Sequence, residues 1–341
     1  MKLKLKFLIL LVLSVACGSA PPSTGAREVR DSGDASPDAG QLPDPETPEP
    51  AQNGTTEDPD ADGNTPGKDP ATGSGQEGDQ DAGAGSPQNT DNDTDPDSDL
   101  PESADPEAAG PYGMEQVTID EGIVHYPAGI ASGTSLHPVI AWANGTAFSA
   151  KVYKEIITHW VSHGFVVIAS KSTMAMVAND QIRMLKAIRD STGHPWSGRL
   201  DPERMGVSGH SQGGSATVAA AADPMVKASI PMQSGGAGIG RIKAPTLLVS
   251  GSADTICPVA MVRSAYKATR SDIRFHGQLN HPKATHWWEI AETEEEYSLY
   301  HGITTAWWRW HLMGDESMAP LFSEGGLYRS GEWSESEGAG F

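Results

Sequence analysis

The chain has 341 residues, enough for two average domains, and carries 45 acidic against 24 basic residues for a formal net charge of −21. The charge is segregated: residues 18–110 hold 23 acidic and 3 basic residues, whereas residues 111–341 hold 22 and 18. The nearly balanced C-terminal part offers no phosphate-binding basic face, which argues against nucleic acid as a partner.

The first residues read as an export signal. Lys2, Lys4 and Lys6 precede the apolar run Phe7 to Leu13, which is too short for a permanent membrane anchor. The run ends in Leu13-Ser-Val-Ala-Cys17-Gly, small residues before a cysteine. This resembles the site at which bacterial lipoproteins are cut and acylated, and it predicts lipidation of Cys17 and attachment to a bacterial membrane. The alternative is an ordinary signal peptide cleaved near Ala16 or Ala20; either places the mature protein outside the cytoplasm. Cys257 is the only other cysteine. With Cys17 acylated or removed, no intrachain disulfide is possible, and the C-terminal part must rely on its core.

Residues 18–111 read as a tether. Between Gly18 and Gly110 there is no Phe, Trp, Tyr, Ile or Met, so the segment cannot bury enough apolar surface to offset the entropy of ordering it. It is expected to be a disordered, self-repelling acidic linker. Asp58-Pro-Asp60-Ala-Asp62-Gly63 and the run Asp91, Asp93, Asp95, Asp97, Asp99 with Glu102 have spacings that resemble calcium loops. Pro96 occupies the glycine position of the second, and neither has helical flanks, which favours a plain solvated linker.

From Tyr112 onward, short apolar runs alternate with helical patterns, the mark of βαβ units and a mostly parallel sheet flanked by helices. Val117 to His125 predicts one or two entry strands. Pro138 to Trp142 is a buried strand, followed by Asn144-Gly145-Thr146 and a helix from about Ala150 to Ser162. Phe165 to Ala169 is a second buried strand, Gln181 to Ile188 a helix, and Arg204 to Ser208 a third strand. Strands follow at Ala228 to Pro231, Thr246 to Ser250 and Asp272 to Phe275, with helices at Val259 to Lys267 and Glu294 to Leu312.

Gly209-His-Ser211-Gln-Gly213 has the form G-x-S-x-G. Alone it is a weak signal, but it follows an apolar strand and precedes the good helix former Ser215 to Ala222, as a nucleophile elbow of the α/β-hydrolase fold requires. A serine needs a base, and the base needs an anion to hold its tautomer. Asp254 follows the strand ending at Ser250, in a loop before a helix; its structural alternative is a helix cap. Three histidines, His276, His281 and His286, lie beyond the last predicted strand. His286 stands just ahead of the final helix, where the base is expected, and His281 and His276 are the alternatives. The losers are expected to be solvated loop residues. Two backbone N–H groups must hold the developing oxyanion. The residues chosen are Gln212, after the nucleophile, and Thr146, although Asn144-Gly145 can also be read as a simple turn.

Pro138 to Ile168, Gly209 to Gly214, Ala253 to Val259, Ala284-Thr-His-Trp287 and Ala306-Trp-Trp-Arg-Trp310, in this order and spacing, resemble bacterial cutinases and polyester hydrolases, including poly(ethylene terephthalate) hydrolases. The resemblance runs over nearly all of Gly113 to Met318. It supports His286 as base, because the family's histidine follows Ala-Thr, and it implies serine carboxylester hydrolysis with no metal or organic cofactor. The chain departs from the family at Thr146 and at Gln233-Ser-Gly-Gly236, where the family carries aromatic clamp residues, and at Gln212 in place of the usual Met. The missing rings weaken stacking on an aromatic polyester. Trp287, Trp288, Met174 and Gln233 are the candidates for substrate contact instead. The Trp307-Trp308-Trp310 cluster is assigned to packing.

The reading is therefore a monomeric, tethered carboxylesterase with Ser211 as nucleophile, Asp254 as acid and His286 as base, acting on short-chain or polymeric esters. Its rivals are an acetyl or feruloyl carbohydrate esterase and a non-catalytic binding protein on a hydrolase scaffold.

Overall fold

The computed structural model describes residues 105–173, 178–290 and 293–341. The export signal, Cys17, the two calcium-like runs and Met174 lie outside the described residues. No helix among the described residues is long and apolar enough to cross a membrane.

Nine strands among the described residues form one sheet: β1 (Met114–Thr118), β2 (Ile123–Pro127), β3 (His137–Ala143), β4 (Val166–Ala169), β5 (Leu200–His210), β6 (Val226–Met232), β7 (Thr246–Gly251), β8 (Arg274–Leu279) and β9 (Glu337–Ala339). Their order is β1-β2-β4-β3-β5-β6-β7-β8-β9. The six strands from β4 to β8 run parallel, while β1, β2 and β9 add antiparallel edges. The main helices are α1 (Lys154–Ser162), α2 (Ala178–Asp190), α3 (Gln212–Ala220), α4 (Val259–Ala268), α5 (Glu294–Tyr297) and α6 (His301–Trp308). This is the α/β-hydrolase arrangement the sequence predicts.

Both faces of the sheet are covered, so its central strands are apolar throughout. In β3, Ile140 and Trp142 enter one core with Trp160 of α1 and Trp307 and Trp308 of α6. The alternating Val139, Ala141 and Ala143 enter a second core with Leu185 of α2 and Val218 of α3. Trp142, Trp160 and Trp308 form a chain of edge contacts with centroids 5.7 and 5.9 Å apart, each worth about 0.5–1.5 kcal/mol beyond the buried area. Trp307 and Trp308 are fully buried, as assigned.

Three expectations are corrected. The last strand before the final helices spans Arg274–Leu279 rather than ending at Phe275, because the polar His276 and Gln278 are paired within the sheet. The expected helix Glu294 to Leu312 is broken: α5 stops at Tyr297, α6 begins at His301, and a π-helical turn follows at Arg309–Met313. Finally, residues 105–111, assigned to the linker, pack against α1. The Pro106 carbonyl accepts from His159 Nε2 at 2.9 Å, the Ala108 carbonyl from His163 Nε2 at 3.0 Å, and Gly110 N–H donates to Ser162 Oγ at 2.9 Å. Backbone groups of this segment make these contacts, so an apolar-poor composition does not prevent them.

The chain passes from β3 to β4 on one side and then to β5 on the other. The crevice at the C-terminal ends of β3 and β5 is therefore the switch point at which sheets of this type bind ligands. Ser211 and Thr146 follow β5 and β3 directly.

Candidate active site

Ser211 links β5 to α3 at φ 56° and ψ −117°. A non-glycine residue in that conformation is strained by about 1–3 kcal/mol and persists only where its surroundings fix it. Here the Ser211 N–H donates to the Met232 carbonyl at 3.0 Å, and the Ser211 carbonyl accepts from Ser215 N–H at 3.1 Å. The turn is so tight that a Cβ on Gly213 would sit 2.2 Å from the Ala143 carbonyl oxygen, which explains the second glycine of the motif. Among the described residues only Ala147, Ser211 and Gln233 combine a side chain with positive φ, at 66°, 56° and 44°. All three lie around this crevice.

His286 sits on the loop between β8 and α5. Ser211 Oγ–H donates to its Nε2 at 2.9 Å, and its Nδ1–H donates to Asp254 Oδ2, also at 2.9 Å. The second bond fixes the tautomer that leaves Nε2 free to accept. Asp254 follows β7. Its other oxygen, Oδ1, accepts from the Ile256 and Cys257 N–H groups at 2.8 Å each, which holds the carboxylate rigid. It does not cap α4, whose N-cap is Pro258. Asp254 and His286 are buried, and Ser211 is 3% exposed.

Gln212 is the first residue of α3, so its N–H belongs to the unpaired first turn of a helix. Around Thr146, Gly145 N–H donates to Tyr153 Oη, Ala147 N–H to the Thr173 carbonyl at 2.8 Å, and Phe148 N–H to the Gly145 carbonyl at 3.2 Å. Among the described residues the Thr146 amide itself makes no protein hydrogen bond. The Thr146 hydroxyl donates to Gln212 Oε1, tying the two residues together. The crevice thus holds an alcohol, an imidazole aligned by a carboxylate, and two spare backbone donors. This set can carry nucleophilic acyl transfer.

The other candidates fall elsewhere. His276 is not a solvated loop residue but lies in β8, fully buried, with Nε2 2.9 Å from Ser250 Oγ. His281 faces away from Ser211: its Nδ1 accepts from Lys283 N–H at 3.2 Å and its Nε2 lies 3.7 Å from Glu295. Gln233 is fully buried, and its amide bonds to His210, Trp288 and the Thr285 carbonyl, so it supports the crevice from behind and does not line it. Trp288 is likewise buried at 2% exposure. Trp287 is half-buried, with its ring 5.3 Å from that of His286. Phe148, which sequence reasoning missed, packs edge-on to Trp287 with centroids 5.9 Å apart. Tyr153 and His210 were also missed: each reads as an ordinary helix or strand-end residue, and only their mutual placement reveals them.

A family model described as PET hydrolase-like matches residues 94–315. The chain is 32% identical over 165 residues to a bis(hydroxyethyl) terephthalate hydrolase of Streptomyces coelicolor, covering 44% of this chain and 53% of that protein. It is 36% identical over 107 residues to cutinase 2 of Thermobifida cellulosilytica, covering 29% of this chain and 40% of that protein. The same identity over 107 residues holds for cutinase cut1 of Thermobifida fusca, of which 33% is covered. The matched segments thus span about half or less of the length of these curated relatives. With the family match extending over well more than half of its length, the chain belongs to the PET hydrolase-like family.

Proposed function

We propose that this chain is an extracytoplasmic serine carboxylester hydrolase that works through an acyl-enzyme. The observation that carries the reading is the Ser211–His286–Asp254 relay, with two 2.9 Å hydrogen bonds meeting at a left-handed elbow beside two spare amides. Ser211 Oγ attacks the ester carbonyl carbon as its proton passes to His286 Nε2, and Asp254 steadies the imidazolium that forms. The oxyanion of the tetrahedral intermediate is held by the Thr146 and Gln212 N–H groups. Collapse breaks the bond to the alcohol, which leaves with the proton from Nε2, and the acyl group stays on Ser211. Water then attacks the acyl carbon, giving its proton to Nε2. Oγ departs, takes that proton back, and the carboxylic acid is released.

Short acyl esters and aliphatic polyesters are the substrates the site supports best. Phe148 and Trp287 supply apolar ring surface beside the base, while Thr146 presents a polar side chain, bonded to Gln212, where a stacking ring would be needed for an aromatic polyester. The names of relatives, a bis(hydroxyethyl) terephthalate hydrolase and cutinases, agree with ester hydrolysis in general and do not favour one acyl group. The N-terminal signal and Cys17 support export and lipid attachment, which incorporation of a labelled fatty acid, lost in Cys17→Ala, would test. The catalytic reading is tested by turnover of p-nitrophenyl butyrate, expected for the wild-type chain and abolished in Ser211→Ala with the fold intact. Activity near wild type in that variant would mean another nucleophile.

A further inference from the structure

Behind the elbow, buried groups form a chain that the reaction just described does not use. Gly145 N–H donates to Tyr153 Oη at 2.9 Å, Tyr153 Oη lies 3.1 Å from His210 Nδ1, His210 Nε2 lies 3.1 Å from Gln233 Oε1, and Gln233 Nε2 donates to the Thr285 carbonyl at 2.8 Å. Tyr153, His210 and Gln233 are at most 1% exposed. One end of this chain is the residue before Thr146, and the other is the residue before His286.

The direction of every bond can be assigned. Trp288 Nε1 donates to Gln233 Oε1 at 2.9 Å, and the Gln233 NH₂ faces a carbonyl, so the orientation of the amide is fixed. His210 Nε2 must then carry a proton, because it faces an oxygen that only accepts. Burial and the neighbouring His286, whose ring centroid is 4.7 Å away, keep the His210 imidazole neutral, its pKa well below the usual histidine value. Its Nδ1 is then an acceptor and takes the Tyr153 O–H, while Tyr153 Oη accepts from Gly145. All the donors thus point the same way, from the loop after β3 to the loop of His286. Close approach is required at the start of the chain: a Cβ on Gly145 would lie 2.8 Å from Tyr153 Oη. The chain is also bordered by strained backbone at Ala147 and Gln233, which needs such surroundings to persist.

We infer that Tyr153, His210 and Gln233 are positioning residues: their hydrogen bonds hold the Gly145–Thr146 peptide in register with the His286 loop, so that the oxyanion donor and the base stay aligned about Ser211. The inference rests on the serine esterase reading and deepens it. A fully satisfied buried network acts as one rigid unit, and breaking it anywhere should loosen both ends.

The test uses the full chain with Tyr153→Phe, Gln233→Met and the double variant. Each single variant is expected to lose about tenfold to a hundredfold in kcat on a soluble p-nitrophenyl ester, with KM changed by less than about twofold, as for small misplacements of reacting groups. Affinity for a boronic acid that mimics the tetrahedral state should fall by a similar factor. The double variant should be no worse than the weaker single one, because the chain is already broken. A core variant away from the site with the same loss of thermal stability, such as Val262→Ala, should keep its kcat. Wild-type kcat in both single variants, or a double loss equal to the product of the two, would overturn the inference. Should the variants fail to fold, nitrogen–proton correlation spectra of the wild-type histidines decide: His210 is expected as the neutral Nε2–H tautomer from about pH 5.5 to 8. Titration in that range, or the Nδ1–H form, would overturn it. A wild-type chain that turns over no ester removes the esterase reading and this inference together; an active wild type with independent variants removes this inference alone.

Discussion

Among the described residues, two buried serine–histidine pairs have the same 2.9 Å separation between Oγ and Nε2: Ser211 with His286, and Ser250 with His276. Each histidine also has a carboxylate near its Nδ1, Asp254 at 2.9 Å and Glu337 at 3.9 Å. What separates them is the backbone. Ser211 stands at a left-handed bend beyond the end of β5, beside spare N–H donors and 3% exposed. Ser250 lies within β7, fully buried, in register with Gln278 of β8. No ester can reach it, and a strand offers no oxyanion site there because its amides are spent on the ladder. The carboxylate differs as well: Asp254 is fixed by two N–H groups, whereas Glu337 is drawn to Arg263 at 3.0 Å, and His276 Nδ1 has no hydrogen-bond partner among the described residues. On the proposed reading a short serine–histidine distance is therefore not enough; the elbow and the anchored acid make the difference.

Removing Ser211 or His286 should break the first pair completely. Ser211→Ala and His286→Ala are each expected to lower kcat by about 10⁶-fold, as groups that act as a unit do. Ser250→Ala should leave turnover near wild type and cost about 1 kcal/mol of stability for the lost hydrogen bond; urea denaturation alongside p-nitrophenyl ester assays separates the two results. Asp254→Asn should cost about 10⁴-fold by favouring the wrong tautomer of His286. Glu337→Gln should cost nothing in rate, which steady-state kinetics on the two variants would check.

The second pair should show itself in stability. Burial pulls the pKa of His276 down to about 4 and that of His301 to about 3. Both are neutral in the folded protein near pH 5, whereas in the unfolded chain they take up protons below about pH 6.5. The unfolded state then binds more protons, so stability falls as the pH drops from about 6.5 towards 4, by up to about 1.4 kcal/mol per pH unit for each such histidine. Urea midpoints measured across this window should decline, and His276→Gln should make the decline shallower. A midpoint that does not change with pH would contradict the burial of these groups. The smallest effect belongs to His281: its replacement by Ala should leave kcat near wild type, and a loss comparable to that of His286→Ala would move the base to His281.

Much of this was legible in the chain. The alternation of apolar runs gives β3 to β7 and α1 to α4 within a few residues, because buried parallel strands and amphipathic helices write themselves in periodicity. The meeting of Ser211, His286 and Asp254 in one hydrogen-bonded set was legible because the proposed chemistry demands a fixed order after particular strands. β9 was not, since Glu337-Gly-Ala339 has no strand-forming side chains and is three residues long. The docking of residues 105–111 was hidden for the same reason: carbonyls received by His159 and His163 leave no mark in composition. Gln233 was misplaced because the family resemblance puts an aromatic clamp residue in this stretch, and only the positions of His210, Trp288 and Thr285 show that it faces inward. Phe148 and Tyr153 acquire meaning from partners distant in sequence, Trp287 and His210.

The central claim is that only one of the two pairs carries a reactive alcohol, and a fluorophosphonate probe followed by peptide mass spectrometry tests it most directly. The phosphonyl adduct should form on Ser211 and be absent from Ser250, and it should vanish in His286→Ala. An unlabelled Ser211 in folded protein, or an adduct on a different serine, would contradict the account.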